Sequence, residues 1–248
     1  MSIECPILLQ SNLDPDKLAI RVSGGLITYS RFHQDICRFQ SGLKKKNILT
    51  SDVLIISSDF DYHYLCLFFA CLREGVIVFP LNHSWKNNYI THLLDSVFSH
   101  DSSQFKFVFV SNTLSELFTL TRSELYDYSY QVQEIEQVDK LDSIFSFKYD
   151  LDQPATFLFT SGSCGTPKIA THYFKHHYEN AVFSNMILNF MPGDTWLHTL
   201  PMYHVSGISI CFRVFFGGGT LSLELEDLHN FDSTLKFTHI SLVPTLLN

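Results

Sequence analysis

The chain has 248 residues, of which 46% are hydrophobic and 15% aromatic, so it can bury a large core and is not intrinsically disordered. Seventeen basic and 25 acidic residues give a formal net charge of −8, the wrong sign for a protein whose main partner is nucleic acid or an anionic membrane. The longest apolar stretch, from Tyr64 to Leu72, is far shorter than the roughly 20 residues that cross a bilayer, and the first residues lack a signal pattern. We therefore expect a cytoplasmic location, no nucleic-acid partner and no transmembrane segment.

The cysteines and histidines do not show metal-binding spacing. The six cysteines contain no C-x-x-C pair, and most lie in apolar runs, where thiols behave as small hydrophobes. His172, His176 and His177 allow two imidazoles on one helical face, but they lack nearby cysteines and the glutamate of an H-E-x-x-H arrangement. We therefore expect a solvated histidine surface, no metal ligands and no disulfide framework.

Short apolar runs alternate with helical periodicity through the first part of the chain. Residues 53–56, 76–79 and 107–110 are β-branched and aromatic without polar alternation, which is typical of parallel strands covered on both faces. Between them, apolar side chains recur three and four residues apart, which indicates helices. The alternation predicts an α/β fold, with sheets of mostly parallel strands flanked by helices. The helical positions are Phe32, Ile36, Phe39 and Leu43, followed by Ile90, Leu93, Leu94 and Val97.

A weaker pattern separates the two parts of the chain. Residues 111–152 are polar and acidic, and the segment D-L-D-Q-P at 150–154 is typical of a connector. We therefore predict a first α/β subdomain over 1–150 and a second over 151–248. The second is expected to be incomplete at its C-terminus, because Pro244 suits the first turn of a helix that does not continue. Its predicted strands lie at 156–160, 196–200, 220–223 and 239–243, and its predicted helices at about 174–189 and 206–216.

The most informative segment is the loop at residues 159–168, which reads F-T-S-G-S-C-G-T-P-K. It follows a hydrophobic strand, and Gly162 and Gly165 allow the backbone to approach a ligand closely. Lys168 places a positive charge after the stiff Pro167, and hydroxyl side chains add neutral donors. The pattern predicts an anion-binding loop that suits phosphate; the alternative is an ordinary Ser/Gly-rich turn between a strand and a helix. The loop differs from the mononucleotide motif G-x-x-x-x-G-K-[ST], because only two residues separate its glycines.

The string T-S-G-x-x-G-x-P-K resembles the phosphate-binding signature of the acyl-adenylate-forming superfamily of AMP-binding enzymes, which includes acyl- and aryl-CoA ligases, luciferases and peptide-synthetase adenylation domains. Cys164 stands where this family usually has Thr or Ser, and Ile169 where it usually has Gly. A lost hydroxyl removes a hydrogen bond of about 1 kcal/mol, so we expect weakened rather than abolished activity. Cys164 is not expected to be a thioester nucleophile, because the sequence positions no base beside it. The residues that the resemblance assigns to ATP binding are Thr160, Ser161, Gly162, Ser163, Cys164, Gly165, Thr166 and Lys168.

Other segments extend the resemblance over nearly the whole chain. The segments L-I-T-Y at 26–29 and A-C-L-R-E-G-V-I-V-F-P-L-N at 70–82 resemble family motifs that we interpret as scaffold, in which Gly75 ends a helix and Pro80 a buried strand. The variant Y-H-V-S-G, with the later F-G-G-G-T and S-L-V-P-T, is most similar to 2-succinylbenzoate–CoA ligases of menaquinone biosynthesis.

A second motif concerns the acyl substrate. Residues 200–207, L-P-M-Y-H-V-S-G, resemble the family motif L-P-x-x-H-x-x-G, whose histidine lines the acyl pocket in relatives. The resemblance implies that His204 is a catalytic and substrate-binding residue and that Ser206 and Gly207 border the carboxylate. The alternative is that His204 is a capping or core residue.

The resemblance also implies a reaction and a fold like the large N-terminal domain of the family. A carboxylate, expected to be aromatic, attacks the α-phosphate of ATP to give an acyl-adenylate and pyrophosphate, and the thiol of coenzyme A then displaces AMP. Mg²⁺ would bridge phosphate oxygens. The family's adenine-binding segment, magnesium-linked glutamate, ribose-binding aspartate and catalytic lysine have no match here. We therefore expect incomplete turnover by this chain, a missing C-terminal half, and an apolar patch that favours self-association.

Three hypotheses are open at this point. The chain is the amino-terminal portion of an acid–CoA ligase, a catalytically incompetent module that still binds nucleotide or acyl groups, or an interaction module with a relic loop. The first predicts ATP–pyrophosphate exchange with an aromatic acid once the remainder is added. The second predicts ATP binding without exchange, and the third predicts neither.

Overall fold

The structure of the chain is a computed structural model, in which contacts define two compact units. Unit 1 consists of Met1–Asp35, Ser143–Asp152 and Phe174–Asn248, and unit 2 consists of Ile36–Asp142 and Gln153–Tyr173. Each unit is therefore assembled from segments that are not adjacent in sequence. The structure describes residues 1–85, 89–90, 92–94, 107–111, 129–130, 147–160, 167–225 and 237–244.

The described residues form sheets of mostly parallel strands, with helices between many of the strands in sequence, which confirms the predicted α/β class. Residues 89, 90 and 92–94 are also helical. The strands are β1 Ser2–Glu4, β2 Leu18–Val22, β3 Gly25–Thr28, β4 Val53–Ser57, β5 Ile77–Pro80, β6 Phe107–Ser111, β7 Ser129–Tyr130, β8 Lys148–Asp150, β9 Pro154–Thr160, β10 Lys168–Tyr173, β11 Thr195–Leu197, β12 Thr220–Ser222 and β13 His239–Ile240. The helices are α1 Pro6–Leu13, α2 Tyr29–Lys45, α3 Tyr62–Glu74, α4 Phe174–Leu188 and α5 Val205–Gly217.

Unit 2 is built on a six-stranded sheet with the strand order β10-β9-β5-β4-β6-β7. The inner strands run parallel, since β4 pairs with β5 and β6, and β9 pairs with β5. Every residue of β4 is buried, as expected for a strand covered on both faces. The parallel strands predicted at 53–56, 76–79 and 107–110 are therefore confirmed.

Helix α3 of unit 2 has a defined cap at each end. The Asp61 side chain accepts a hydrogen bond from the backbone N–H of Tyr64 at 2.7 Å, which satisfies a donor that the helix leaves unpaired. Gly75 ends the helix with φ 71°, and a Cβ added there would lie 2.9 Å from Cγ2 of Thr50. The predictions that Gly75 ends a helix and that Pro80 ends a buried strand are confirmed.

The predicted amphipathic helices agree with the structure where it describes them. All four apolar positions of the first are buried in α2. Ile90, Leu93 and Leu94 of the second are helical and buried, and Val97 lies outside the described residues. Within the described ranges, none of the helices combines the length and the apolar character that a membrane span requires.

Unit 1 contains a five-stranded sheet, β13-β11-β12-β2-β3, and the two-stranded pair β1-β8. Strand β11 runs parallel to β12 and β13, and β12 runs parallel to β2. Helices α4 and α5 confirm the helices predicted at 174–189 and 206–216. The strand predicted at 196–200 is shorter, because β11 ends at Leu197 and the chain then turns through Pro201, which has no N–H for a sheet.

Residues on both sides of position 150 belong to unit 1, because β1 pairs with β8. The next segment, 153–173, joins the sheet of unit 2 through β9 and β10. The predicted division into subdomains 1–150 and 151–248 is a different grouping from these units and stays a prediction.

The histidines at 172, 176 and 177 do not form one solvated surface. His172 lies on β10 of unit 2, whereas His176 and His177 lie on α4 of unit 1. His177 is 2% exposed, and its ring stacks on Phe212 with 4.8 Å between centroids. The expectation of a solvated surface is therefore wrong for His177, whose imidazole packs in the core of unit 1. The free cysteines within the described residues are all buried, as expected for small apolar side chains: Cys5, Cys37, Cys66, Cys71 and Cys211.

Candidate functional site

The predicted phosphate loop leaves the sheet of unit 2 between β9 and β10. These two strands are antiparallel neighbours, and Thr160 pairs with Lys168 at the point where they separate. The Thr160 hydroxyl donates to the backbone carbonyl of Lys168 at 3.2 Å, which adds a second link across the neck of the loop. The loop therefore begins and ends at a fixed point. The predicted ATP-binding residues Ser161, Gly162, Ser163, Cys164, Gly165 and Thr166 lie outside the described residues.

The direction of β9 places this neck at a particular edge of the sheet. Strand β9 is parallel to β5, and β5 is parallel to β4, so the loop starts at the edge where these strands have their carboxyl ends. Ligands of open α/β sheets bind in the crevice outside the carboxyl ends of the strands. Thr160 and Lys168 are both exposed at this edge. The location therefore suits the anion-binding role predicted for the loop.

The strand after the loop accounts for one departure from the family signature. The sequence interpretation allowed a turn from strand to helix, but the loop leads into β10, which makes β9 and β10 a hairpin. Ile169 lies opposite Phe159 in this hairpin and packs on the apolar core that includes Val53 and Phe79. An isoleucine at this position therefore gains burial that a glycine would not provide.

A polar pair at the same edge was missed by sequence reasoning. Asp59 follows β4 and His83 follows β5, and their side chains meet with 3.1 Å between His83 Nε2 and Asp59 Oδ1. The two residues are 24 positions apart, and their approach follows from the parallel pairing of β4 with β5. Both side chains are largely exposed, so the pair contributes little to stability.

The second predicted site is the turn that precedes α5 in unit 1. His204 occupies the N-cap position with extended backbone, φ −115° and ψ 146°, but its side chain makes no capping hydrogen bond. The imidazole is exposed and lies against the ring of Tyr203, with 4.8 Å between centroids. The side chain of His204 is thus neither buried in the core nor hydrogen-bonded as a cap, which leaves it accessible to a ligand. Its role in binding and catalysis stays a prediction.

Gly207 lies where the turn and the helix come closest. A Cβ at this residue would lie 2.3 Å from the carbonyl oxygen of Pro201 and 2.6 Å from that of Leu200. The turn is closed by hydrogen bonds from the His204 N–H to the Pro201 carbonyl and from the Gly207 N–H to the His204 carbonyl, each 3.1 Å long. Only glycine fits this approach without displacing backbone. The structure therefore gives Gly207 a packing role, and Ser206 is half-buried beside it.

His198 is a further residue of this turn that sequence reasoning missed. It is 5% exposed, and its Nε2 lies 3.1 Å from the carbonyl oxygen of Gly207. Burial lowers the pKa of His198 to about 4, so the ring is neutral at pH 7. Because a carbonyl oxygen can only accept, this contact is a hydrogen bond in the tautomer that carries the proton on Nε2. The available signal was a histidine directly after the apolar pair W-L in the segment T-W-L-H-T-L.

Comparison with known proteins identifies the family of the chain. Residues 9–248 match the family described as AMP-binding enzyme. The chain therefore belongs to the AMP-binding enzyme family, which confirms the resemblance drawn from the loop and from the turn at 200–207.

The chain is similar to ligases that act on one acid. It is 30% identical over 233 residues to the 2-succinylbenzoate–CoA ligase of Haemophilus influenzae, an alignment that covers 94% of this chain and 45% of that protein. The O-succinylbenzoate coenzyme A synthetase of Bacillus subtilis, solved with ATP and magnesium ion, superposes with a TM-score of 0.82 and 21% identity and covers 100% of this chain and 65% of that one. The same synthetase, solved with the acyl-adenylate intermediate OSB-AMP, gives a TM-score of 0.80 at 22% identity, covering 100% of this chain and 63% of that one. At these identities the solved structures establish the fold, and the chain spans about half the length of the curated relatives it matches.

Proposed function

We propose that this chain is part of an AMP-forming acid–CoA ligase whose acid is 2-succinylbenzoate. The whole protein would activate the acid with ATP through an acyl-adenylate and transfer the acyl group to coenzyme A. The observation that carries the proposal is the loop T-S-G-x-x-G-x-P-K at the carboxyl end of β9, with Thr160 and Lys168 paired across its neck. The names of the relatives support the choice of acid. Because the chain spans about half of their length, we assign it substrate binding and assign turnover to the whole protein.

The loop would hold the β- and γ-phosphates of ATP. Gly162 and Gly165 would allow backbone N–H groups to point at phosphate oxygens, and the hydroxyls of Thr160, Ser161, Ser163 and Thr166 would add donors. Lys168 is the first residue of β10, and its side chain is exposed. Its amine could therefore contact the phosphates while its backbone stays paired with β9. Its charge would stabilise the negative charge that develops on the leaving pyrophosphate.

Magnesium would act here through the nucleotide, as the family resemblance implies. Within the described part of the chain, no group of three or more His, Cys, Asp or Glu side chains can hold a metal ion. A bound magnesium ion would be held by phosphate oxygens of ATP, where it would neutralise charge. No step of the proposed reaction depends on a metal ligand from the described residues.

The turn at 200–207 would bind the acid. The imidazole of His204 is exposed and unhindered by a capping bond, and it can donate to a carboxylate oxygen or stack on an aromatic ring. The first N–H groups of a helix lack intrahelical acceptors, and at the start of α5 they belong to Val205 and Ser206. Those donors favour an anion at the same place. Attack of a carboxylate oxygen on the α-phosphorus would form one P–O bond, break another and release pyrophosphate.

Titration of the purified chain with ATP tests the nucleotide part of the proposal. We expect Lys168→Ala to weaken ATP binding about 10- to 100-fold, because it removes a charge-assisted contact worth about 1.4 to 2.8 kcal/mol. Lys148→Ala is the matched control, since Lys148 is an exposed lysine on β8 of the other unit. Equal, tight binding by the wild type and Lys168→Ala would contradict the role assigned to this lysine.

The acid is tested on the whole protein. We expect ATP–pyrophosphate exchange that depends on 2-succinylbenzoate and is absent without an acid. Exchange with other aromatic acids but not with 2-succinylbenzoate would reject the substrate and keep the reaction class. ATP binding without exchange under any condition would instead support a binding module that has lost turnover.

A second candidate, an interaction module, is favoured by one observation. Helix α4 exposes a run of large apolar side chains at helical spacing, with Phe183 64%, Met186 74% and Ile187 83% exposed. Such a patch is the feature expected to favour self-association. If Ile187→Lys abolishes concentration-dependent association while the wild type binds no ATP, the interaction module replaces the ligase. ATP binding that Ile187→Lys leaves unchanged argues for the ligase.

A further inference from the structure

We infer that His198 is a positioning residue that sets the place of the acid-binding turn, an inference that rests on the proposed function of His204 and Ser206. The imidazole of His198 links the end of strand β11 to the first turn of α5 by its hydrogen bond to the Gly207 carbonyl. That bond spans nine residues and encloses the whole turn from Thr199 to Ser206.

The backbone of His198 is held by the sheet of unit 1. Its N–H donates to the carbonyl of Ser222 at 2.9 Å, which extends the pairing of β11 with β12 by one residue. The next residue, Thr199, donates its hydroxyl to the carbonyl of Ser241. The backbone of His198 is therefore fixed relative to the sheet. The hydrogen bond of its imidazole then fixes the Gly207 carbonyl relative to the same sheet.

The carbonyl group that accepts the hydrogen bond from the His198 imidazole belongs to the first turn of α5. Gly207 is the third residue of α5, and its carbonyl also lies in register for the ordinary bond to a helix N–H four residues later. A carbonyl oxygen has two lone pairs, so the bond from His198 is an additional one that the helix does not need. Its consequence is to fix where α5 begins, and therefore where His204 and Ser206 lie.

Other contacts close the turn against the helix. The Ser209 hydroxyl donates to the Val205 carbonyl at 2.7 Å, and Cys211 Sγ lies 3.8 Å from Met202 Sδ. These contacts join parts of the turn and the helix to each other. The hydrogen bond from His198 differs from these two contacts because it joins the first turn of α5 to the sheet.

The protonation state of His198 agrees with this geometry. Burial lowers its pKa to about 4, although the hydrogen bond to Gly207 opposes that shift. The ring is then neutral at pH 7, so only one of its nitrogens carries a proton, and the bond to Gly207 requires that proton on Nε2. A neutral donor can be buried here without an opposing charge.

The test compares His198→Gln, whose amide can donate near the place of Nε2, with His198→Leu, which has no donor. In the ¹⁵N-histidine NMR spectrum of the wild type we expect the Nε2–H tautomer at His198. In His198→Leu we expect the ring signals of His204 to shift and the dissociation constant for 2-succinylbenzoate to rise about tenfold. His198→Gln should restore both to within about twofold of the wild type. His176→Leu, at an exposed histidine on α4, is the matched control and should change neither.

Two results would overturn the inference. One is the Nδ1–H tautomer at His198. The other is a His198→Leu chain with a lower unfolding temperature but with His204 signals and acid binding like the wild type, which would make His198 merely structural. If His198→Leu does not fold, the tautomer and His198→Gln still decide. If the wild type itself does not bind 2-succinylbenzoate, the proposed acid fails, while the tautomer and the His204 signals still decide the positioning role.

Discussion

Replacing Gly207 by alanine tests the tight approach of the turn to α5. The new Cβ would lie 2.3 Å from the Pro201 carbonyl oxygen, about 1.2 Å inside an ordinary contact distance of about 3.5 Å. The Leu200 carbonyl oxygen, at 2.6 Å, closes the other side. Both obstacles are backbone atoms, so a change of rotamer cannot relieve the overlap, and the turn itself must move.

The size of the effect follows from two opposing terms. Overpacking that shifts backbone costs about 1 to 3 kcal/mol and occasionally more. Alanine gains up to about 1 kcal/mol over glycine in helix propensity, and this gain is smaller at the first turn than in a helix interior. We therefore expect Gly207→Ala to lower the free energy of unfolding by about 2 kcal/mol, which is a fall of about 4 to 8 °C in the unfolding temperature.

Urea unfolding and thermal unfolding monitored by circular dichroism measure this change. Gly25→Ala is the matched control in the same unit, because its nearest neighbour to an added Cβ is Val22 Cγ2 at 3.5 Å, an ordinary contact. The control should stay within about 0.5 kcal/mol of the wild type. A Gly207→Ala chain as stable as the wild type, with unchanged binding of 2-succinylbenzoate, would refute the argument that close approach requires glycine here.

Three other outcomes follow from individual contacts. Asp61→Ala removes the cap on the Tyr64 N–H and should cost about 1 kcal/mol in urea unfolding. Tyr29→Phe removes a buried hydroxyl that donates to the Gly219 carbonyl at 2.7 Å and should cost about 1 to 1.5 kcal/mol in the same assay. The pKa of His198 is lowered to about 4 in the folded state, against about 6.5 unfolded, so the unfolded chain binds more protons between these values. Stability should be complete above pH 6.5 and fall by about 3 kcal/mol as the pH drops to 4, and His198→Gln should lose that part of the decline.

Each of these outcomes has a matched comparison. Asp16→Ala and Tyr89→Phe change exposed side chains of the same types and should alter the unfolding free energy by less than about 0.5 kcal/mol. His176→Gln, at an exposed histidine, should keep the acid-dependent decline of the wild type. A cap variant as stable as its control, a Tyr29→Phe chain without loss, or an unchanged pH profile in His198→Gln would each contradict the contact concerned.

The parts of the fold that could be predicted are those in which burial dictates residue type. Strands β4 and β5 are buried along their whole length, and their sequences are correspondingly rich in β-branched and other apolar residues. Strand β10, K-I-A-T-H-Y, was missed because its residues are half-buried or exposed and its position depends on pairing with β9. The hairpin β2-β3 carried a usable signal in the S-G-G turn, where Gly24 has φ 79°.

The same distinction applies to the candidate site, since some of its residues could be predicted from the sequence and others could not. Motifs identified His204 and Gly207, because a motif records which residue types recur at a spacing. The reason for Gly207 and the contribution of His198 could not be predicted, because both depend on backbone carbonyl groups of Pro201 and Gly207, and a sequence does not show where carbonyl groups point. In this turn, the contacts that the sequence did not indicate are those made with backbone carbonyl groups.

The phosphate loop and the turn before α5 are held by different kinds of contact. Substitutions in the two segments should therefore affect ligand binding and stability differently. The phosphate loop is fixed at its neck by the strand ladder, which uses the backbone of Lys168 and leaves its side chain exposed. Lys168→Ala should therefore weaken ATP binding while changing the free energy of unfolding by less than about 0.5 kcal/mol. The turn before α5 is held by buried groups, so His198→Leu and Gly207→Ala should change acid binding and stability together. A Lys168→Ala chain that is less stable than the wild type would show that the Lys168 amine has a structural partner. The exposed position of this side chain would then not account for ATP binding.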